Sequence, residues 1–177
     1  MSTFSIQVNS RQPFEAMQQL EAGVRDSQSF LAALGQDITE RAKRRFDTST
    51  GPDGAAWRPN AEATLGILES RLGEGFRKKN GALNKKGVTR IAAKKPLIEL
   101  GDLRRQIVPM VAGDTLTVAA TQLYAGIQQF GGKAGRGLKV TIPARPFMPL
   151  RPDGSLYPAE EAEIMTALND YIDSLLP

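Results

Sequence analysis

Cysteine and histidine are both absent from this chain of 177 residues. Without cysteine there is no disulfide and no thiolate nucleophile, which fits synthesis in a reducing compartment. Without histidine the usual general base near neutral pH is missing, and with it every Ser-His-Asp or Cys-His arrangement. A zinc site would have to be built from carboxylates alone, against that ion's preference for nitrogen and sulfur. A carboxylate–magnesium or Ser–Lys mechanism stays chemically open, but no motif for either is present. No run of about eighteen apolar residues occurs, so no membrane span is expected. The opening "MSTFSIQVNS" has neither a basic n-region nor an apolar h-region, so no secretory signal is expected. These absences point away from an enzyme and from any metal or cofactor.

What is present is ordinary in bulk and uneven in detail. An apolar fraction of 41% and a charged fraction of 24% suit a soluble globular protein. The length suits one domain, 1–177, able to bury a core without staples. The net charge of +4 is concentrated: Arg77, Lys78, Lys79, Lys85, Lys86, Arg90, Lys94 and Lys95 lie between Phe76 and Lys95 with no acid among them. The rest of the chain is therefore net acidic. The same region carries Gly73, Gly75, Gly81 and Gly87 and few large apolar side chains, so 73–95 is expected to be a mobile basic insert.

Periodicity supplies the elements. "TFSIQVNS" alternates Phe4, Ile6 and Val8 as an edge-like strand. Phe14, Ala16, Met17 and Leu20 follow at helical spacing. Phe30, Leu31, Leu34, Ile38, Ala42 and Phe46 form the clearest helical stripe, over Ser29 to Phe46, with Asp26, Ser27 or Ser29 as candidate caps. Gly35 is a weak point inside it. "DTSTGPDGAAWRPN" reads as a loop holding the one tryptophan, Trp57, either a packing residue or an interface anchor. "AEATLGILESRL" reads as a short helix. "RQIVPMVA" and "TLTVAAT" flank Gly-Asp as a type II′ hairpin, with Pro109 demoting the first to an edge or marking a bulge. Leu123, Tyr124, Ile127 and Phe130 are helical and stop at Gly131-Gly132; "GLKVTI" is a further strand. A last helix begins near Pro158, with Glu160, Glu161 and Glu163 at the positive end of its dipole and Ile164, Leu168, Tyr171, Ile172 and Leu175 as its stripe. No internal repeat is evident. The class is α+β: N- and C-terminal helices around a small, mainly antiparallel sheet, with a long flexible basic loop.

Three local patterns have competing readings. Glu99 and Asp102 form either a carboxylate pair or, better, a helix cap from Asp102. "GGKAGRG" lacks the full phosphate-loop pattern and reads as a flexible linker. "TIPARPFMPL" is either a stiff connector whose Phe147 and Leu150 plug the core, or a pre-ordered strip for a neighbouring subunit with Arg145 pairing to a partner. For the basic insert, a loop that orders in an assembly competes with contact to a nucleic-acid backbone. Base stacking is poorly provided for, since Phe76 is its single aromatic.

In order, "RRFDTSTGPDGAAWRPN", "PLIELGDLRRQI", "LYAGIQQFGG" and "IPARPFMPL", then an acidic last helix, resemble the phage virion morphogenesis family over essentially the whole chain. The segment from Gly73 to Lys95 is the least matched part. By position the family elements are Pro52, Gly54 and Trp57; Leu100, Gly101 and Leu103; Tyr124, Ala125, Phe130 and Gly131; and Pro143, Ala144, Arg145, Pro146 and Phe147. The resemblance implies a non-enzymatic structural role in tail completion and head–tail joining. It implies a protein made in the host bacterial cytoplasm and carried at the neck or tail end of the virion. The implied partners are further copies in a hexameric ring, neighbouring connector, tail terminator or tail tube proteins, and packaged DNA in the lumen. It favours Trp57, Tyr124, Phe130, Arg145, Pro146 and Phe147 as interface residues, with Phe147 as anchor and Arg145 its polar partner. The eight basic residues would face DNA or an acidic surface. A DNA-binding or packaging accessory protein using segment 76–95 is the alternative.

Overall fold

The stripe from Phe30 to Phe46 becomes the longest described helix, α2 (Gln28–Thr48). The computed structural model describes residues 11–25 and 27–176, with side chains from Phe14 onward. The strand expected at 3–10 and the candidate cap Asp26 lie outside the described residues. Ser27 occupies the N-cap position of α2 without a side-chain capping bond, and Ser29 lies inside the helix. Gly35 has a clear purpose. A Cβ there would stand 2.6 Å from Leu116 Cδ1 and 2.9 Å from Pro109 Cβ, so its absence lets a hairpin rest directly on the helix.

That hairpin is β1 (Ile107–Ala112) paired antiparallel with β2 (Thr115–Ala120) across Gly113-Asp114. Gly113 has φ +61° and Asp114 does not share the positive region, as a type II′ turn requires. Pro109 is tolerated because each strand of a two-stranded pair has a free edge. A second antiparallel pair, β3 (Gly132–Ala134) with β4 (Val140–Ile142), stands apart from the first. The fold is α+β as expected, with its small sheet divided into two hairpins. "GGKAGRG" is thus not a plain linker: it supplies β3 and part of a 3₁₀ turn at 136–138.

The last helix, α7 (Pro158–Leu175), starts on Pro158. It meets α1 (Arg11–Arg25) near both C-terminal ends, where Tyr171 Oη donates to the Gly23 carbonyl at 2.8 Å. Phe30 stacks on Tyr171 with ring centres 4.3 Å apart. The core joins Ala42 and Phe46 of α2 to Trp57, Leu103, Ile107, Ala125 and Phe147. Phe46 is its centre, edge-on to Trp57 at 5.5 Å and tilted against Phe147 at 5.3 Å. Leu103 comes from α5 (Asp102–Arg105), whose N-cap is Gly101 at φ +80° rather than Asp102. Asp102 instead pairs with Arg105, and Glu99 pairs with Lys94 and Arg71, so no carboxylate pair forms. The Lys94 hydrogen bond and charge hold the Glu99 carboxyl below its ordinary range.

One local repeat does exist. Pro52-Asp53-Gly54 and Pro152-Asp153-Gly154 make the same turn, closed by the bridges Thr50↔Ala56 and Leu150↔Leu156. In each, the aspartate Oδ1 accepts from the amide two residues on, at 3.0 Å from Ala55 and 2.9 Å from Ser155. Each turn then delivers a ring: the Trp57 amide donates to Ser49 O at 2.8 Å and the Tyr157 amide to Pro149 O at 3.0 Å. Burial, with the charge of Asp53 adding to it, raises the Tyr157 hydroxyl above its usual value.

Candidate functional site

The strip from Thr141 to Leu150 contains three prolines and, past Ile142, joins no sheet, so its backbone groups need other partners. Side chains supply most of them. Gln129, on α6 (Ala125–Phe130), is buried and clamps the strip on both sides of its amide. Its Oε1 accepts from the Phe147 and Met148 amides at 2.8 and 2.9 Å; its Nε2 donates to the Met148 and Leu150 carbonyls at 3.2 and 2.8 Å. Trp57 Nε1 donates to Pro146 O at 2.9 Å, and Arg45 Nη1 donates to Phe147 O at 2.6 Å. The Arg145 amide donates to Gln128 O at 2.8 Å.

Arg145 points inward along the same seam. Its Nε and Nη2 donate to the carbonyls of Arg58 and Pro59 at 2.9 and 2.8 Å, and burial pushes its guanidinium below the usual value. Arg45 is buried as well, and its pKa is lowered by that burial, partly offset by the carboxylate of Glu160. Glu160 binds Arg45 and Arg41 together, tying α7 to α2 beneath the strip.

These contacts correct the interface expected of the strip. Phe147 is wholly buried, and Trp57 and Arg145 are buried with it. In this conformation they offer no surface to a neighbour, and the core-plug reading describes them. Arg145 pairs with carbonyls as expected, but with those of its own chain. Pro146 is half-buried under Trp57. Leu150, expected beside Phe147 as a plug, is exposed.

Tyr124 and Phe130 are different. Both are exposed, at opposite ends of α6, and each borders a separate apolar hollow. Tyr124 lines a cleft of about 990 Å³ with Leu97, Ile98, Leu100, Val140 and Ile142. Leu100 is 74% exposed there. Phe130 lines a groove of about 530 Å³ with Leu116, Val118, Leu156 and Ile164.

The basic insert has more structure than its composition predicts. After α3 (Glu62–Ser70) come a 3₁₀ turn at 74–76, a bridge between Arg77 and Leu83, and α4 (Lys85–Ala92). Asn84 joins them: its Oδ1 accepts from the Gly87 amide at 3.0 Å as the N-cap of α4, and its Nδ2 donates to Gly75 O at 3.0 Å. Gly87 is buried so tightly that a Cβ would stand 2.5 Å from Phe76 O. Leu83, Val88 and Ile91 share a small hollow with Leu65 of α3, which compensates for the scarcity of apolar side chains.

The eight cations divide in two. Arg77 donates to the carbonyls of Gly81 and Glu69, Lys94 to that of Ile98 and Lys95 to that of Asp47, so three serve as internal struts. Lys78, Lys79, Lys85, Lys86 and Arg90 are exposed and make no ion pair among the described residues.

Among the described residues no group of histidine, cysteine, aspartate or glutamate side chains is arranged to hold a metal, and no helix is long and apolar enough to cross a membrane. No solved structure matches the chain. It is 35% identical over 118 residues to the Mu-like prophage FluMu G protein 2 of Haemophilus influenzae, an alignment covering 67% of this chain and 80% of that protein. The model of the phage virion morphogenesis family matches residues 8–172. With that span matched, this chain belongs to the phage virion morphogenesis family.

Proposed function

We propose that the chain is a structural virion protein of a tailed phage that completes the tail and joins it to the head as a homo-oligomeric, hexameric ring at the neck or tail end. Its neighbours there are connector, tail terminator or tail tube proteins, and its work is non-enzymatic. The observation that carries this reading is the pair of apolar hollows at the two ends of α6, one bordered by Tyr124 and the other by Phe130. Monomers rarely leave such surface open unless something covers it. Two different faces on one subunit suit a head-to-tail contact, which closes into a ring when the rotation between copies allows. Membership of a virion morphogenesis family supports the setting.

The test uses Leu100→Asp and Phe130→Asp, one in each hollow. Light scattering across a concentration series is expected to show self-association of the unsubstituted chain and monomers for both variants, with unchanged circular dichroism. In a phage lacking its own copy, neither variant should restore joined particles. Full titres from both variants would sink the ring reading.

A further inference from the structure

We infer that the module from Phe76 to Ile91 is a docking surface for the phosphate backbone of duplex DNA, read without regard to sequence. The inference goes beyond the ring and does not rest on it. Five cations, Lys78, Lys79, Lys85, Lys86 and Arg90, stand exposed on two adjoining pieces of backbone. The first two are on the tight turn closed by the Arg77↔Leu83 bridge, and the other three are on α4. Lys86 and Arg90 are four residues apart on one helix and so are neighbours on its surface, where like charges repel. No acid lies between 76 and 95 to relieve them. A solvated segment usually mixes signs; this one does not, and its nearest acids in sequence, Glu74 and Glu99, lie at its borders.

The placement is held by packing that the charges themselves do not need. Asn84 locks the turn to the first turn of α4, and Gly87 admits the Phe76 carbonyl where any side chain would exclude it. The cations are therefore presented on a shaped surface, which lowers the ordering cost of binding.

The chemistry of the partner follows from what this face lacks. Of its apolar residues, Leu83 and Ile91 are half-buried in the hollow toward α3, and Val88, on the rim of that hollow, is exposed. Its single aromatic, Phe76, is half-buried. Protein interfaces draw their affinity from buried aromatic and apolar anchors, and single strands from stacking on exposed rings. A single exposed valine and a half-buried ring offer little of either. What remains is a cluster of fixed positive charges, which suits a partner carrying closely spaced negative charge. A duplex has one charge per about 1.7 Å of axis, and binding it releases counterions.

The experiment measures fluorescence anisotropy of a labelled duplex of mixed sequence with the full chain, as sodium chloride is raised from 50 to 200 mM. Five phosphate contacts predict a fall in affinity of about 500-fold over that range. The double variant Lys86→Ala/Arg90→Ala, altered at exposed positions, should fold normally and show a fall of only about 40-fold. Poly-glutamate and a single-stranded oligonucleotide are run beside the duplex and should bind more weakly. No duplex binding at 50 mM salt overturns the proposal. So does a salt dependence unchanged in the double variant, or poly-glutamate binding tighter than duplex. Light scattering on the same samples separates the two ideas: monomers that still bind duplex in this way overturn the ring and leave this proposal standing.

Discussion

The proline-rich strip and the basic module exchange the roles their compositions suggest. The strip, with its anchors Phe147 and Arg145, looks made for a neighbour, yet its side chains and carbonyls are consumed inside the monomer. The module, rich in glycine and lysine, looks shapeless, yet a cap, a bridge and a tightly packed glycine give it form. The difference lies in where backbone polar groups find partners. Prolines bar the strip from a sheet, so side chains must come to it, and those side chains are long-range contacts from α2, α6 and the Trp57 loop. The module satisfies much of its own backbone locally and leaves Lys78, Lys79, Lys85, Lys86 and Arg90 exposed.

Three substitutions bear on this contrast. Phe147→Ala carries the largest expected effect, a loss of about 3–5 kcal/mol, because the cavity would open beside Phe46 at the centre of the core. Urea unfolding followed by Trp57 fluorescence measures it. A loss below about 1 kcal/mol, with assembly abolished, would return the strip to the interface reading. Glu160→Gln comes next, at about 3 kcal/mol, since it leaves the buried Arg45 without its counter-charge. The same unfolding curve reports it, and Arg45→Met combined with Glu160→Gln should recover part of the loss. Asn84→Ala should cost only about 1 kcal/mol, as the loss of a helix cap does. It is expected to speed limited trypsin cleavage within 73–95 while the global urea midpoint stays in place; cleavage unchanged from wild type would mean that the cap does not hold the module.

How much of this was legible beforehand depends on the range of each interaction. α2, the Gly113-Asp114 hairpin and α7 follow from apolar periodicity and turn residues, which act over a few positions. The N-cap at Asn84 is also a local signal, an asparagine directly before Lys85, but it sits in a glycine- and lysine-rich composition that by itself favours a flexible loop. The twin Pro-Asp-Gly turns were visible as two identical tripeptides and were missed because the match is only three residues long. Gln129 could not be read. Its amide closes four hydrogen bonds with a segment some twenty residues ahead, and nothing in "GIQQFGG" separates it from Gln128. The inward turn of Arg145 is of the same kind, because a side chain's direction is decided by carbonyls 86 and 87 positions away. For the candidate site, Tyr124 and Phe130 were named from sequence, whereas the two hollows they border exist only once α6 is set between its neighbours.

The four hydrogen bonds made by the Gln129 amide bear on cooperativity. A segment held by one side chain at several points cannot peel away residue by residue, since moving any part of it strands donors and acceptors in a dry interior. Release of residues 146–150 would also uncover Phe46 and leave the Arg45 guanidinium short of a carbonyl. The strip should therefore open only when the whole domain does, which makes it a fixed keel that holds the exposed hollows at the two ends of α6 at a constant spacing.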